Sequence, residues 1–388
     1  MVYKKIEQKH YEPPHRLKAI NMFCCGGMNE FYLSDIGVDV VAAVEISKFR
    51  AMFHSKLYPK CRVVVGDITR QKVEDKLVEI AHKEKPEILL ASPVCQEYCG
   101  ANLYKDANSP RLYLFENVLT HLRRCPSYKY CVIENAKEFK KAKVKKLGEV
   151  CVSEHIKSEL EKLGFKYVKI GIQDAADFGA PMMRNRTIII ASKEKDVDLP
   201  VTLTPKHITY GKMSADLDPI DAGEYSEIEY YTPSKLPECQ IEQLRQTPSG
   251  ERVKNPKTAK GNLSKCRFTG SYHRLKNEDV MHSALTNNGE ISGFFTIPPA
   301  VEATDENGKK YFKNCRTLTL LEMFRGFGLP DNMPLPEYSK ANERFVRELL
   351  GEAWNPLHCQ AVIYEFVKAE FDLDDKNKQE KRGDKNSE

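Results

Sequence analysis

The chain predicts an α/β protein built on a mostly parallel sheet covered on both faces, joined to a smaller lobe of short strands and loops. Three observations carry this expectation. The first half alternates short β-branched apolar runs with amphipathic helical segments, the pattern of successive βαβ units. From about residue 196 to 303 that alternation gives way to a stretch rich in Pro, Thr, Ser, Asn and Gly, with weak periodicity. Finally, Cys95 and Glu134 each follow a strand-like apolar run, at the strand ends where open α/β sheets place their ligands.

The elements can be justified in order. Leu17–Phe23 reads as a strand that ends at the Gly26-Gly27 turn, and a short helix through Glu30–Ile36 follows. Val38–Ile46 is a strand, Lys48–Leu57 a helix, and Cys61–Ile68 a β-branched strand. Val73–His82 has the apolar spacing of an amphipathic helix, and Glu87–Val94 is the strand that carries Cys95 to its end. Arg111–Arg124 reads as a helix, Tyr130–Glu134 as a strand and Ser153–Leu163 as a helix. Tyr167–Gln173 and Arg186–Ala191 complete the strands of this half. Helical character returns at Leu320–Phe327, Asn342–Leu350 and Cys359–Ala369. Asp372 to Glu388 is almost entirely charged or polar and is expected to be disordered.

Composition narrows the class. The 388 residues are 41% hydrophobic and 30% charged, enough for a large domain with an added lobe. No apolar run approaches the roughly 18 residues of a membrane span. Met1–Glu7 lacks the apolar core of a secretion signal, so a cytoplasmic protein is expected. Twelve cysteines occur without a single C-x-x-C pair, which excludes zinc-ribbon and thioredoxin readings; reduced thiols and no metal are expected. The formal charge of +5 is compatible with nucleic acid but does not decide for it.

Cys95 is the cysteine with a chemical context. It lies in the segment Ala91-Ser92-Pro93-Val94-Cys95-Gln96 that follows one apolar strand, just as Glu134-Asn135-Ala136 follows the apolar run Tyr130-Cys131-Val132-Ile133. A thiol and a carboxylate at the ends of two strands of one sheet can converge on one small ring, which suits covalent chemistry on a nucleobase. Arg184 and Arg186 stand two apart at the start of a strand, so an extended backbone would point both to one face. Glu45 and Asp67 are acids at two further strand ends, positions suited to ribose hydroxyls and an adenine amine.

In order along the chain, from about Lys18 to Phe366, these segments resemble the motifs of the S-adenosylmethionine-dependent cytosine carbon-5 methyltransferases. Phe23-Cys24-Cys25-Gly26-Gly27 is similar to the family's Phe-x-Gly-x-Gly-Gly, one residue shorter and without its first glycine. Glu45 and Gly66-Asp67-Ile68 resemble the second and third cofactor motifs. Pro93-Val94-Cys95-Gln96 resembles Pro-Pro-Cys-Gln, and Glu134-Asn135-Ala136 resembles Glu-Asn-Val. The stretch from Asp174 to Arg186 is similar to the segment ending in Pro-Gln-x-Arg-x-Arg, with Met182 in place of glutamine. Arg316-Thr317-Leu318-Thr319, with Glu322 and Gly326-Phe327, resembles the penultimate motif, and Gly351-Glu352-Ala353-Trp354 is a poor copy of the last.

The resemblance implies a Rossmann-like fold and a DNA (cytosine-5-)-methyltransferase. It implies Cys95 as nucleophile, flanked by Gln96, with Glu134 holding the ring and Arg186 and Arg184 bracing the base. S-adenosyl-L-methionine would lie against Phe23, Gly26, Gly27, Glu45, Ile46, Asp67, Ile68 and Pro93. The implied division is a catalytic and cofactor domain over 1–195, a target recognition lobe over 196–303, a return to the catalytic domain over 304–370, and a tail from 371 to 388. The partner would be double-stranded DNA, bound by a monomer that flips the target base out. Lobe cations Arg245, Arg252, Lys254, Lys257, Lys260 and Lys265 would contact phosphates, and Arg274 and Thr286 lie where the lobe leads back. A bacterial or phage origin fits. The family's tRNA-directed branch shares the catalytic residues but usually has a shorter insertion, so the long polar lobe favours DNA. An inactive DNA-binding relative is the other reading, opposed by the presence of Cys95, Gln96 and Glu134.

Overall fold

The computed structural model describes residues 10–100, 102, 104–253, 272–283, 296–336, 338–339 and 342–373. The chain packs as two compact units. The larger comprises Glu7–Asp174, Asn185–Thr202 and Pro356–Glu388; the smaller contains Ala175–Arg184 and Leu203–Asn355.

The larger unit is a seven-stranded sheet. Its strands are β1 (Leu17–Met22), β2 (Val38–Glu45), β3 (Arg62–Val65), β4 (Ile88–Ala91), β5 (Tyr130–Ala136), β6 (Tyr167–Asp174) and β7 (Asn185–Ser192), in the order β3-β2-β1-β4-β5-β7-β6. Every pairing from β3 to β5 is parallel, and β7 runs antiparallel between β5 and β6. The expected mostly parallel sheet is present. Its central strands β4 and β5 are buried at every residue, which explains why they read as continuous apolar runs. The outermost strands, β3 and β6, mix exposed and half-buried positions, as edge strands do.

Helices α1 (Lys48–Leu57), α2 (Gln71–Glu84), α3 (Phe115–Arg124) and α4 (Val152–Lys162) connect the strands. The Ser47 side chain caps α1 by accepting the Arg50 N–H, and α2 stops at Lys85, whose φ is 50°. Leu77, Val78 and Ala81 of α2, and Val118, Leu119 and Leu122 of α3, bury their spaced apolar faces in one core with Ile20, Leu89, Cys131 and Ile133. The C-terminal helix, Pro356–Glu370, joins this unit by stacking Phe366 on Tyr130 with ring centroids 4.9 Å apart. Because the strand order reverses between β1 and β4, the crevice beyond their carboxyl ends is the place where such sheets bind ligands.

The smaller unit has little regular structure, as its composition predicted. Among the described residues it holds the helix Glu238–Arg245, a two-residue pairing of His273–Arg274 with Thr296–Ile297, a hairpin of Val301–Thr304 with Lys310–Lys313, and the helices Leu320–Phe327 and Glu343–Glu352. Buried arginines organise it. Arg274 donates to the carbonyls of Leu244, Thr247, Pro298, Lys313 and Asn314. Arg316 pairs with Glu322 at 2.6 Å, and Glu322 also closes a capping box with Thr319 at the start of Leu320–Phe327.

The unit boundaries differ from the expected ones. The chain rejoins the sheet unit at Pro356, not near residue 304. Leu320–Phe327 is buried at all eight positions, and its Glu322 is bonded by Tyr210 and Arg316 of the smaller unit. A helix with no exposed face reads the same whichever unit buries it. Lys254, Lys257, Lys260, Lys265, Thr286 and most of the expected disordered tail lie outside the described residues. Among those residues, no helix is long and apolar enough to cross a membrane.

Candidate active site

The parallel pairing of β4 with β5 sets Ala91 beside Ile133, so the chain beyond each strand leaves the sheet at the same edge. Cys95 lies four residues past Ala91, in a turn where its carbonyl accepts the N–H groups of Tyr98 and Cys99 at 3.0 and 2.9 Å. Asn135 fixes this loop to the neighbouring strand: its Nδ2 donates to the Pro93 carbonyl at 2.9 Å, and its Oδ1 accepts the Ala136 N–H at 2.9 Å. A buried asparagine with both functions satisfied holds the loop to β5. The sequence reading overlooked Asn135, although its place between Glu134 and Ala136 was the available signal. Gln96 turns its Oε1 to Arg111 at 2.9 Å, and its backbone carbonyl accepts from Asn102 at 3.0 Å. Its side chain therefore orders the loop after Cys95.

Glu134 is 5% exposed, and Arg186 comes to it from the antiparallel neighbour β7, with Nε 2.7 Å from Oε1. Arg186 Nη1 also donates to the Asn185 carbonyl. Among the described residues, Glu134 has no other side-chain partner. His358, on the C-terminal helix, adjoins this pair. Its Nε2 lies 3.1 Å from Gln173 Oε1, and burial, aided by the Arg186 charge, pushes its pKa down to about 3, so the ring is neutral. Sequence reasoning missed His358 because a lone histidine in an apolar helix carries no local signal.

Arg184 differs from expectation. Strand β7 begins at Asn185, so Arg184 and Arg186 are not two residues of one extended face. Arg184 belongs to the smaller unit, where it is 1% exposed and its Nη2 donates to the Gly351 and Ala353 carbonyls at 2.8 and 2.7 Å. Five donors on one planar group make arginine an effective tie between loop carbonyls. The variant Gly351-Glu352-Ala353-Trp354 segment is thus held by the arginine of another motif.

The β1 loop makes up for its missing glycine through backbone strain. Phe23 and Cys25 take φ of 61° and 44°, and Gly26 and Gly27 take 76° and 81°. Left-handed non-glycine residues are costly and gather at functional sites. Gly27 could not be replaced by alanine, since a Cβ would meet Tyr58 at 2.5 Å and the His54 ring at 2.7 Å. Below the loop, Glu30, His54 and Asn21 form a buried cluster: Glu30 Oε1 lies 2.7 Å from both His54 Nε2 and Asn21 Nδ2.

Glu45 accepts the Cys25 N–H at 3.1 Å and the Ser47 N–H at 2.9 Å, one on each carboxylate oxygen, which joins the β1 and β2 loops. Asp67 accepts from the Thr69 N–H and hydroxyl through Oδ1, and Ile68 is buried beside it. Ile46 is 67% exposed, while Phe49 and Met52 of α1 are also open to solvent. No group of His, Cys, Asp and Glu among the described residues could hold a metal ion.

A thiol in the loop beyond β4, a carboxylate on the neighbouring β5, a strained loop after β1 and two further acids after β2 and β3 share one edge of an open α/β sheet, the edge where such sheets bind ligands. The sequence matches the C-5 cytosine-specific DNA methylase model over residues 17–368, and the chain belongs to that family. It is 28% identical over 360 residues to the type II methyltransferase M1.HgaI of Avibacterium volantium, covering 90% of this chain and 98% of that protein. It is 25% identical over 183 residues to the tRNA (cytosine(38)-C(5))-methyltransferase of Bos taurus, covering 46% of this chain and 43% of that one. Among solved structures, an E. coli prophage protein described as a DNA modification methyltransferase superposes with a TM-score of 0.63 at 14% identity, over 91% of this chain and 99% of that chain. At that identity the likeness is one of fold.

Proposed function

We propose that the protein methylates carbon 5 of cytosine in duplex DNA, with S-adenosyl-L-methionine as methyl donor. The observation that carries this reading is the placement of Cys95 in the loop beyond β4 and of Glu134 on the neighbouring β5, one residue past the last β4–β5 pair, with Arg186 on Glu134 at 2.7 Å.

Carbon 5 of cytosine is a poor nucleophile until a thiolate adds to carbon 6. Cysteine suits that step, since a few per cent is thiolate at neutral pH and it is intrinsically very nucleophilic. Cys95 forms the bond to carbon 6, and electron density moves to carbon 5. Glu134 holds the ring at N3 and the exocyclic amine as charge develops on it. Arg186 fixes Glu134 and reaches for the base's carbonyl oxygen. After methylation, the carbon 5 proton passes to water and Cys95 departs from carbon 6 as the thiolate, which restores the aromatic ring. Asn135 and Gln96 position the Cys95 loop, and Arg184 acts at a distance by bracing the 351–353 loop.

The residues at the heads of β1 to β3 fit the cofactor. Ile46 is an aliphatic side chain left 67% exposed beside Glu45, an arrangement suited to covering by a purine face. Each Glu45 oxygen accepts one backbone N–H and has a second lone pair for ribose hydroxyls. Phe23, Gly26, Gly27, Asp67, Ile68 and Pro93 would complete the cradle. When bound, the cofactor supplies an electrophilic methyl group.

The smaller unit is proposed to read the target. Of its cations, Arg245 is paired with Glu238 and Glu242 and Arg274 is committed to carbonyls, whereas Arg252 is exposed. The match to the DNA methylase family model over residues 17–368 supports DNA as substrate, whereas the tRNA enzyme is matched over less than half its length. The test is transfer of labelled methyl to mixed-sequence duplex DNA and, in parallel, to bulk tRNA, by wild type and Cys95→Ser. Label on DNA that vanishes in the variant is the expected result. Label on tRNA alone would replace the substrate, and label retained by the variant would remove Cys95 from its role.

A further inference from the structure

Immediately after Glu134-Asn135-Ala136 the chain reads Lys137-Glu138-Phe139-Lys140-Lys141-Ala142-Lys143-Val144-Lys145-Lys146. These ten residues hold six lysines against one glutamate, a local excess equal to the formal +5 of the whole chain. The segment folds as two short 3-10 turns, Lys137–Lys141 and Lys145–Leu147. Phe139 and Val144 are buried and anchor it, and the lysines point outward. Lys137, Lys141, Lys143, Lys145 and Lys146 are exposed, and Lys140 is half-buried.

What sets this strip apart in the larger unit is the clustering of its unpaired cations. Elsewhere some surface cations meet acids, as Arg16 meets Asp39, Arg123 meets Glu159 and Lys169 meets Asp196 and Asp198, while exposed lysines without an acid partner among the described residues, such as Lys60 and Lys166, are scattered. In the strip only Lys143 has an acid partner among the described residues, Glu149 at 2.5 Å. Lys145 rests on Asn108 Oδ1 at 2.6 Å, and Lys146 sits 4.4 Å from the centre of the Tyr113 ring. Five neighbouring lysines without counter-charge repel one another, and an external polyanion relieves that repulsion.

The strip is also fixed to the cysteine loop. Phe139 packs edge-on against Tyr98, ring centroids 4.8 Å apart, and the Tyr98 N–H donates to the Cys95 carbonyl. Glu138 lies over Gly100, where a Cβ would meet its Oε1 at 2.6 Å. Lys137 follows Glu134 by three residues, so their Cα atoms are within about 11 Å of each other.

We propose that Lys137–Lys146 is a phosphate-binding strip that holds the backbone of duplex DNA beside the flipped base. The assignment rests on the reading of DNA as substrate. Its contacts are to phosphates, so they position the duplex and carry no sequence preference.

The test replaces Lys140, Lys141, Lys145 and Lys146 together by glutamine and measures duplex binding by fluorescence anisotropy from low to moderate salt. Calorimetric titration of S-adenosylmethionine serves as a check on the fold. Each lost phosphate contact should lower the slope of log affinity against log salt by about 0.9, so a fall of roughly 2–4 is expected. Affinity at low salt should drop at least tenfold for target and random duplexes alike, with cofactor affinity unchanged. A control variant, Lys72→Gln with Lys76→Gln on α2, should keep the wild-type slope. If the quadruple variant keeps the wild-type slope and affinity on a duplex the wild type binds, the strip is a solvated face and the proposal fails alone. If the wild type binds tRNA and ignores duplex DNA, the proposal fails together with the DNA reading.

Discussion

Two arginine–glutamate pairs, one in each unit, show how the same chemistry serves structure in one place and a site in the other. Arg316 and Glu322 are 1% and 0% exposed at the side chain, and each guanidinium nitrogen and each carboxylate oxygen is hydrogen-bonded. Arg316 also donates to the Ile220 carbonyl and Tyr231, while Glu322 accepts from Thr319 and Tyr210. Burial alone would raise the Glu322 carboxyl, but the Arg316 charge and these hydrogen bonds outweigh it and hold it below its ordinary value. Arg186 and Glu134, at 13% and 6%, share one contact at the mouth of a sheet edge, and the carboxylate has no further side-chain partner among the described residues. A closed pair fixes a fold, whereas an open pair is ready for a ligand.

The largest expected effect breaks the closed pair. Arg316→Met leaves Glu322 charged and buried, and should cost about 3–5 kcal/mol in denaturant unfolding. Glu134→Gln should do the opposite: methyl transfer falls on the order of 10²–10⁴-fold while unfolding shifts by less than about 1 kcal/mol. Comparable stability losses in the two variants would erase the distinction between them.

His358 sharpens the comparison through pH. Its folded-state pKa lies near 3, below the ordinary 6.5, so as pH falls the unfolded chain takes up the proton first. The residue is neutral to stability above about pH 6.5 and destabilises increasingly down towards pH 3. His358→Gln should therefore recover about 2 kcal/mol relative to wild type at pH 5 and nothing at pH 8, read from unfolding at both values. The smallest effect belongs to Asn135→Ala, which frees the Pro93 carbonyl. It should lower stability by about 1 kcal/mol and slow turnover without weakening cofactor binding, by comparison of kinetics with calorimetry.

Much of this was legible in the sequence, for physical reasons. Buried parallel strands must be apolar throughout, so β4 and β5 stood out, and with them Cys95 past the end of β4 and Glu134, which follows the apolar run of β5 but still belongs to the strand. The Arg186 partnership depends on β7 running antiparallel to β5, with Arg186 beside Ala136, and no local pattern encodes that register. Arg184 was misjudged because one residue separates a strand position from a loop position, and the loop carries it into the other unit. The late return at Pro356 was hidden because helices buried on all sides carry no sign of which core they join. The lysine strip was in plain view as a charge run. The reading proposed for it came from the clustering of five lysines without an acid partner among the described residues and from the buried Phe139 that ties it to the cysteine loop.

The most direct test of the central claim is to trap the covalent step. Duplex DNA carrying 5-fluorocytosine cannot lose its carbon 5 substituent after methylation, so a thiol attached to carbon 6 stays attached. Incubation with S-adenosylmethionine followed by peptide mapping should place one adduct on Cys95, absent from Cys95→Ser and greatly reduced in Glu134→Gln. An adduct on Cys99 or Cys25, or none at all with cofactor and DNA both bound, would contradict the account.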